Sequence, residues 1–172
     1  MTPDRDTLAR SALLSTCGTY RYALSRVWSD RGPSVCWVML NPSTADALVD
    51  DPTIRRCIGF SRAWDFGSLD VVNLYALRAT DPTELGGPVD PVGPENDEHI
   101  SAALYRAGLV VCAWGATPAP RKSFRVERIL RLAQDAGRPL HALGTTKHGD
   151  PRHPLYLRRD ARPERWEAHH AD

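Results

Sequence analysis

Four short apolar segments without polar alternation divide the chain. They occupy residues 34–40, 69–74, 108–114 and 139–143. Continuous hydrophobicity is typical of strands that are covered on both faces, as in a parallel sheet between helices. Residues 20–28 also have the composition of a strand. The turn residues that follow this segment predict that it lies antiparallel to the first core strand.

Helical patterns fill the intervals between the core strands. Asp51 and Pro52 suit the N-cap and the first position of a helix that ends near residue 64. Helices are also predicted over residues 94–107 and 122–136, the second of which is followed by Gly137. This alternation predicts an α/β fold, a three-layer α/β/α sandwich with a mainly parallel central sheet and an N-terminal antiparallel strand.

The composition narrows the class of protein. A chain of 172 residues suits one domain, predicted over residues 1–172 with its core at about 20–160 and a polar tail after about 162. Because no apolar stretch approaches the ~20 residues of a membrane span and no signal peptide is visible, we expect a cytoplasmic protein without a membrane partner. The four cysteines lack the spacing of a zinc site and are predicted to be buried free thiols.

Polar residues follow each core strand, at the edge where ligands bind in open parallel sheets. Asn41 can orient a water or contact a base edge through its amide, or it can stabilise an Asx turn. His153 lies in a proline-flanked loop and can donate to a leaving group, or it can be structural. The candidates for substrate contact at these strand ends are Pro42, Ser43, Thr44, Asn73, Tyr75, Arg78, Trp114, Gly115 and Pro154.

Charged residues suggest two further kinds of site. Carboxylates at positions 46, 51 and 81 can bind a metal or activate water, although Asp51 also suits a helix cap. Residues 121–131 carry five basic side chains against one acidic one on a predicted helix. That basic face is either solvated, which we favour, or a phosphate-binding stripe. The net charge of +1 excludes the strong positive field of a dedicated DNA-binding protein. No P-loop, G-x-G-x-x-G, G-x-S-x-G or H-E-x-x-H motif is present, so no cofactor is expected.

Six blocks of sequence resemble the signature of a known family. They include Met-Leu-Asn-Pro-Ser-Thr-Ala-Asp from residue 39, Asn-Leu-Tyr-Ala-Leu-Arg-Ala-Thr-Asp-Pro from residue 73 and His-Pro-Leu-Tyr-Leu from residue 153. The others are residues 51–57, 93–97 and 113–115, so the blocks extend in order over about 20–160. The set resembles domain-of-unknown-function family 1643, which comprises bacterial and phage proteins. The resemblance implies no particular activity.

A second resemblance, to the uracil-DNA glycosylase superfamily, suggests a reaction. An Asn-Pro loop follows the first core strand, an Asn lies in the second, a Trp-Gly follows the third, and a His-Pro loop comes late in the chain. The resemblance implies the three-layer fold, with Asn41 orienting the attacking water and His153 contacting the base and the DNA backbone. The chain departs from the superfamily at Ser43, where glycine is usual, and at Leu155, where serine is usual. Both changes alter the backbone near the base pocket.

These observations support three functional hypotheses. In the leading one, a hydrolase acts on an N-glycosidic bond in DNA or a nucleotide. Asn41 positions water, His153 stabilises the departing base, Asp46 assists as a base, and Tyr75 or Trp114 stacks on the base. The second is a non-catalytic module that binds nucleic acid or a nucleotide. The third is a metal-dependent enzyme that uses Asp46, Asp51 and Asp81. Phosphate contacts are assigned to Arg55, Arg121, Lys122 and Arg125.

Overall fold

The structure, a computed structural model, describes residues 7–168. Within that range the strands are β1 (Ala9–Leu14), β2 (Arg21–Val27), β3 (Ser34–Met39), β4 (Ser68–Asn73), β5 (Ala107–Cys112), β6 (Leu140–Ala142) and β7 (Glu164–Arg165). They form one seven-stranded sheet in the order β1-β2-β4-β3-β5-β6-β7. The α-helices of the same range are α1 (Pro52–Ala63), α2 (Asn96–Arg106) and α3 (Lys122–Asp135). The fold is therefore α/β, as predicted.

The sheet is mixed rather than mainly parallel. β4, β3, β5 and β6 run parallel, whereas β1, β2 and β7 pair in the antiparallel sense. β2 runs antiparallel to β3, as predicted, but it pairs with β4, with Leu24 opposite Val71, rather than with β3 itself. Hydrophobic pattern fixes which faces of a strand are buried but not which strand lies next to it. Here the connection over residues 28–33 passes the end of β4, which is inserted between β2 and β3.

The region after residue 162 also differs from the predicted polar tail. β7 pairs with β6, and Trp166 is only 7% exposed. The indole Nε1 of Trp166 donates to Gly149 O at 3.2 Å, and its ring meets Trp114 edge-on at 5.3 Å between ring centroids. This segment therefore belongs to the core as far as residue 168. The last four residues of the predicted tail, 169–172, lie outside the described residues.

The three predicted helices are confirmed, with ends within about two residues of the predicted ones. Asp51 caps α1, because its Oδ1 accepts the backbone N–H of Ile54 at 2.8 Å. Gly137 follows α3 with a φ of +66°, in the left-handed region that favours glycine. Across residues 7–168, none of the helices combines the length and the hydrophobicity needed to cross a bilayer.

Helices cover both faces of the sheet, which explains why the core strands lack polar alternation. On one face, Ile54 and Phe60 of α1 share a core cluster with Trp37 of β3. On the other face, Ile100 of α2 and Ile129 of α3 share a second cluster with β3 and β5. Neighbouring residues of β3 thus point into different cores.

The cysteines are free thiols, but the prediction that all are buried is wrong. Cys36, Cys57 and Cys112 are buried, and desolvation raises the pKa of each thiol above its usual range. Cys17 is exposed in the turn between β1 and β2. Unlike the other three cysteines, it lies outside every strand and helix predicted from the sequence.

Arginines of the N-terminal hairpin, formed by β1 and β2, hold the loop over residues 41–51. Arg21 Nη1 donates to Ala45 O at 2.7 Å. Arg26 is fully buried, and it donates to Asp46 O at 2.6 Å and to Asp50 Oδ1 at 2.8 Å. Arg10 reaches the other oxygen of Asp50 at 3.3 Å. The hairpin therefore fixes the loop that begins with Asn41.

We expect Asp50→Asn to destabilise the fold, because it leaves the buried guanidinium of Arg26 without its carboxylate. Breaking a buried ion pair costs about 3–5 kcal/mol. The free energy of unfolding, measured in urea, should fall by about that amount. The matched control is Asp160→Asn, whose partner Arg158 is exposed and whose loss should cost under about 1 kcal/mol. Equal effects of the two variants would show that the Arg26–Asp50 pair does not hold the loop.

Candidate functional site

The carboxyl ends of the parallel strands lie along one edge of the sheet, and the direction in which successive strands are added changes at β3. From β3 the chain passes to β4 on one side and later to β5 on the other. In open α/β sheets, ligands bind at such a topological switch point, outside the carboxyl ends of the strands. Asn41 follows β3 at this edge, Asn73 ends β4, and Trp114 follows β5.

A cavity of about 170 Å³ lies at this edge, and we call it the inner cavity. Asn41, Ser43, Asn73, Trp114 and His153 all line it. The fold therefore brings together predicted site residues from four separate segments of the chain. The other walls of the inner cavity are Arg21, Met39, Leu40, Asp51, Thr53, Ile54, Val71, Ala79, Thr80, Pro82 and Thr117.

A wider cleft of about 750 Å³ lies beside the inner cavity, and we call it the outer cleft. The two share Thr53, Trp114, Thr117 and His153, so these side chains stand between them. The cleft is partly cationic, because Lys147 and Arg152 line it. Its remaining walls are Gly115, Ala116, Thr146, Leu155 and Tyr156.

The amide of Asn41 has a fixed orientation. Its Nδ2 donates to Ala79 O at 2.7 Å and to Pro42 O at 3.0 Å. These bonds use the donor side of the amide, and no donor from residues 7–168 meets Oδ1. The side chain thus stabilises the loop and also presents a carbonyl oxygen as an acceptor at the inner cavity.

Asn73 and Trp114 bring unpartnered polar atoms to the same cavity. Asn73 is 1% exposed, and neither its Oδ1 nor its Nδ2 has a hydrogen-bond partner among the described residues. The indole Nε1 of Trp114, buried likewise, has none in that part of the chain either. Leaving a buried polar group unpaired costs about 1–3 kcal/mol. Because Asn73 and Trp114 also line the inner cavity, their unpaired groups are candidates for contact with a bound water or ligand.

The neutral imidazole of His153 can donate a hydrogen bond from Nε2. It caps the 3₁₀ helix Pro154–Tyr156, and its Nδ1 accepts the backbone N–H of Leu155 at 3.3 Å. A neutral imidazole that accepts at Nδ1 carries its proton on Nε2. Burial lowers the pKa of His153, and the nearby carboxylate of Asp51 opposes this shift only in part. The ring therefore stays neutral to a lower pH than an exposed histidine does.

The carboxylate at the inner cavity is Asp51 rather than Asp46. Asp46 lines neither the inner cavity nor the outer cleft. Its Oδ1 accepts the backbone N–H groups of Leu48 and Val49 at 2.8 and 2.9 Å, and these bonds lower its pKa. Asp51 uses Oδ1 to cap α1 and lines the inner cavity beside His153.

The three carboxylates of the metal hypothesis are not assembled into one site. Asp81 caps the 3₁₀ helix Pro82–Gly86 through the N–H of Thr83 at 2.9 Å. Asp46 and Asp51 each cap a local turn or helix in the same manner. Among residues 7–168, no group of three or more His, Cys, Asp or Glu side chains could hold a metal ion.

Several predicted contact residues lie outside the inner cavity and the outer cleft: Pro42, Thr44, Tyr75, Arg78 and Pro154. Tyr75 lines a separate cavity of about 810 Å³ and donates from its hydroxyl to Pro120 O at 2.6 Å. Arg78 donates to Gly18 O at 3.3 Å. Of the two predicted stacking aromatics, only Trp114 lies at the inner cavity.

The predicted phosphate-binding residues are mostly engaged within the protein. Lys122 Nζ donates to Gly115 O at 2.8 Å and to Thr117 O at 3.0 Å, so it holds a wall of the outer cleft. Arg125 pairs with Asp97 at 2.8 Å and donates to Leu74 O at 2.7 Å. Arg55 donates to Asp50 O at 2.8 Å, and Arg121 lines the cavity of Tyr75.

Arg21, Thr53 and Thr117 line the inner cavity and were missed at the level of sequence. Arg21 had one available signal, since it is a cation inside a segment with the composition of a strand. Thr53 and Thr117 carry no comparable signal in the sequence, because capping and loop hydroxyls are common at such positions. Lys147 and Arg152 of the outer cleft were likewise not predicted.

Comparison with known proteins is consistent with the blocks of sequence. A family model described as "Protein of unknown function (DUF1643)" matches residues 21–155. No curated protein and no solved structure matches the chain. The matched range includes Asn41, Asn73, Trp114 and His153. Because the match covers more than half of the 172 residues, the chain belongs to the DUF1643 family.

Proposed function

We propose that the protein hydrolyses an N-glycosidic bond in DNA or in a nucleotide, on a three-layer fold of the uracil-DNA glycosylase type. The observation that carries the proposal is that Asn41 and His153 line one cavity together with the unpartnered amide of Asn73. An amide with a free donor and a free acceptor is complementary to the edge of a nucleobase. The resemblance to the glycosylase superfamily supports the same reaction. The cytoplasmic location belongs to the proposal and rests on the sequence alone.

The sizes of the two spaces fit the two parts of such a substrate. Pockets for drug-sized ligands measure about 300–1,000 Å³, so the inner cavity of about 170 Å³ suits a smaller group such as a single heterocycle. The sugar and phosphate would then lie in the outer cleft, where Lys147 and Arg152 provide positive charge. His153 and Trp114, which line both spaces, would flank the bond between base and sugar.

The reaction assigns one role to each polar side chain. The water oxygen bonds to the sugar carbon C1′ as the C1′–N bond breaks, and the electron pair of that bond moves onto the base. Asn41 Oδ1 accepts a hydrogen bond from the water, and Asp51 takes its proton. His153 donates a hydrogen bond from Nε2 to the departing base, which leaves as an anion. Asp51 replaces Asp46 in the proposal because it lines the inner cavity.

A non-catalytic binding module receives less support from the same contacts. It was expected to use the basic stripe of α3, but Lys122 and Arg125 are bonded to the protein itself. A metal-dependent enzyme receives no support, since the three acidic residues assigned to it each cap a different turn or helix.

We expect Asn41→Ala and His153→Gln each to lower hydrolysis by at least about a hundredfold, because each removes a group that contacts water or base. Oligonucleotides with uracil, hypoxanthine or an alkylated base are incubated with the protein, treated with alkali and analysed for strand breaks. Free base released from nucleotides is measured by chromatography. Thermal melts confirm that both variants fold. Retained turnover in both would contradict the mechanism, and binding without any product would favour the non-catalytic module.

We expect Asp51→Asn to lose more activity than Asp46→Asn. Both variants remove one charge and retain an oxygen that can accept a backbone N–H, so they are closely matched in structure. Only Asp51 lines the inner cavity. The comparison is made on kcat/KM with the substrate found above. A larger loss in Asp46→Asn would return the role of base to Asp46.

We expect His153 to make stability depend on pH. The pKa of His153 is lowered in the fold, so below the unfolded value of about 6.5 the unfolded chain binds more protons than the folded one. Its contribution is therefore present above that pH and is lost as pH falls through the folded pKa. Urea unfolding of the wild type and His153→Gln between about pH 7.5 and 4.5 should show a steeper decline in the wild type. Parallel profiles would contradict the lowered pKa.

A further inference from the structure

Two buried arginines on β2 differ in how their charge is satisfied. Arg26 is fully buried, and each of its three guanidinium nitrogens donates a hydrogen bond: Nε to Asp50, Nη1 to Ser11 O and Ser25 O, and Nη2 to Asp46 O. Asp50 supplies the opposite charge. Arg26 is therefore explained fully by the architecture of the fold.

Arg21 is 2% exposed but is not satisfied in this way. Its Nη1 donates to Ala45 O, while its buried Nε has no partner among residues 7–168. Within the same range no carboxylate lies within ion-pair distance of its guanidinium. Burial lowers the pKa of Arg21 to about 10, and the more distant charges of Asp51 and Asp46 oppose that shift. A buried cation without a direct ion-pair partner is costly in free energy. Unlike Arg26, Arg21 lines the inner cavity.

We infer that Arg21 is an anion-binding residue of the inner cavity, where it pairs with a negatively charged oxygen of the bound heterocycle. The inference rests on the proposed function and adds a residue and a substrate property to it. A guanidinium carries five N–H donors in one plane and no acceptor, and it pairs most strongly with an anionic oxygen. The indole Nε1 of Trp114 is a second pure donor at the same wall. The part of the wall formed by Arg21 and Trp114, unlike the part formed by Asp51, therefore suits a ring oxygen that carries negative charge.

In the proposed hydrolysis this charge arises when the C1′–N bond breaks. The electron pair of the bond passes to the ring nitrogen and is delocalised onto a ring oxygen, while the water oxygen bonds to C1′ and its proton moves to Asp51. Arg21 hydrogen-bonds the ring oxygen throughout and transfers no proton. An interaction that strengthens as the charge develops lowers the barrier, because it binds the transition state better than the substrate.

The binding of free heterocycles tests the role of Arg21 without requiring hydrolysis. Barbiturate is anionic at neutral pH, whereas uracil is a neutral ring of similar size. We measure Kd for both by calorimetry on the full chain. The wild type should bind barbiturate at least about tenfold more tightly than uracil, which corresponds to about 1.4 kcal/mol.

Substitutions of Arg21 test whether its guanidinium causes the preference for barbiturate over uracil. Arg21→Gln should weaken barbiturate by at least about tenfold and uracil by less than about twofold, and Arg21→Lys should lie between it and the wild type. The matched control is Arg138→Gln. Arg138 also donates to backbone carbonyls, those of Leu104 and Tyr105, but it does not line the inner cavity. The control should retain the wild-type preference.

Each outcome tests the role of Arg21 independently of whether the protein hydrolyses an N-glycosidic bond. Equal affinity of the wild type for the two rings, binding of neither ring, or an unchanged preference in Arg21→Gln overturns it, even where the oligonucleotide assay yields product. A preference that depends on Arg21 supports it, even where that assay yields none. If Arg21→Gln does not fold, the preference of the wild type and its reduction in Arg21→Lys decide the outcome.

Discussion

The shape of the site depends on guanidinium groups that the N-terminal hairpin inserts beneath the loop over residues 41–51. That loop has little regular structure of its own, and its backbone carbonyls need donors once they are buried. Arg21 and Arg26 supply those donors, and Asp50 balances the charge of Arg26. Because the loop carries Asn41 at one end and Asp51 at the other, a hairpin outside the parallel core sets the geometry of the site.

The opposite side of the site has an independent support. Lys122 at the start of α3 donates to carbonyls of the loop after β5 and lies near Asp150. Burial lowers the pKa of Lys122, and the carboxylate of Asp150 opposes that shift. The His153 loop then closes against Arg56 of α1, which donates to Pro154 O at 3.4 Å. Side chains from separate elements thus fix each wall.

The sequence was sufficient for elements whose signals are local. Asp51, Pro52 and Gly137 mark helix ends through backbone geometry, and those ends lie close to where they were predicted. The position of Asn41 and His153 at one cavity could also be predicted, because the carboxyl ends of parallel strands lie at the same edge of a sheet. Non-local choices were not predictable. The pairing of β2 with β4 depends on competition between strands, and the choice between Asp46 and Asp51 depends on which backbone N–H groups each carboxylate meets. The engagement of Arg125 depends on Asp97, which comes from a different helix.

Trp114 lines both the inner cavity and the outer cleft, and its ring also packs edge-to-face with that of Trp166. One ring therefore forms part of the wall of two spaces and one packing contact at the same time. A substitution of Trp114 would alter the inner cavity, the outer cleft and the contact with Trp166 together. Other wall residues line one space only, such as Ser43 and Thr80 at the inner cavity or Thr146 and Lys147 at the outer cleft, so a substitution there changes one space and leaves the other intact.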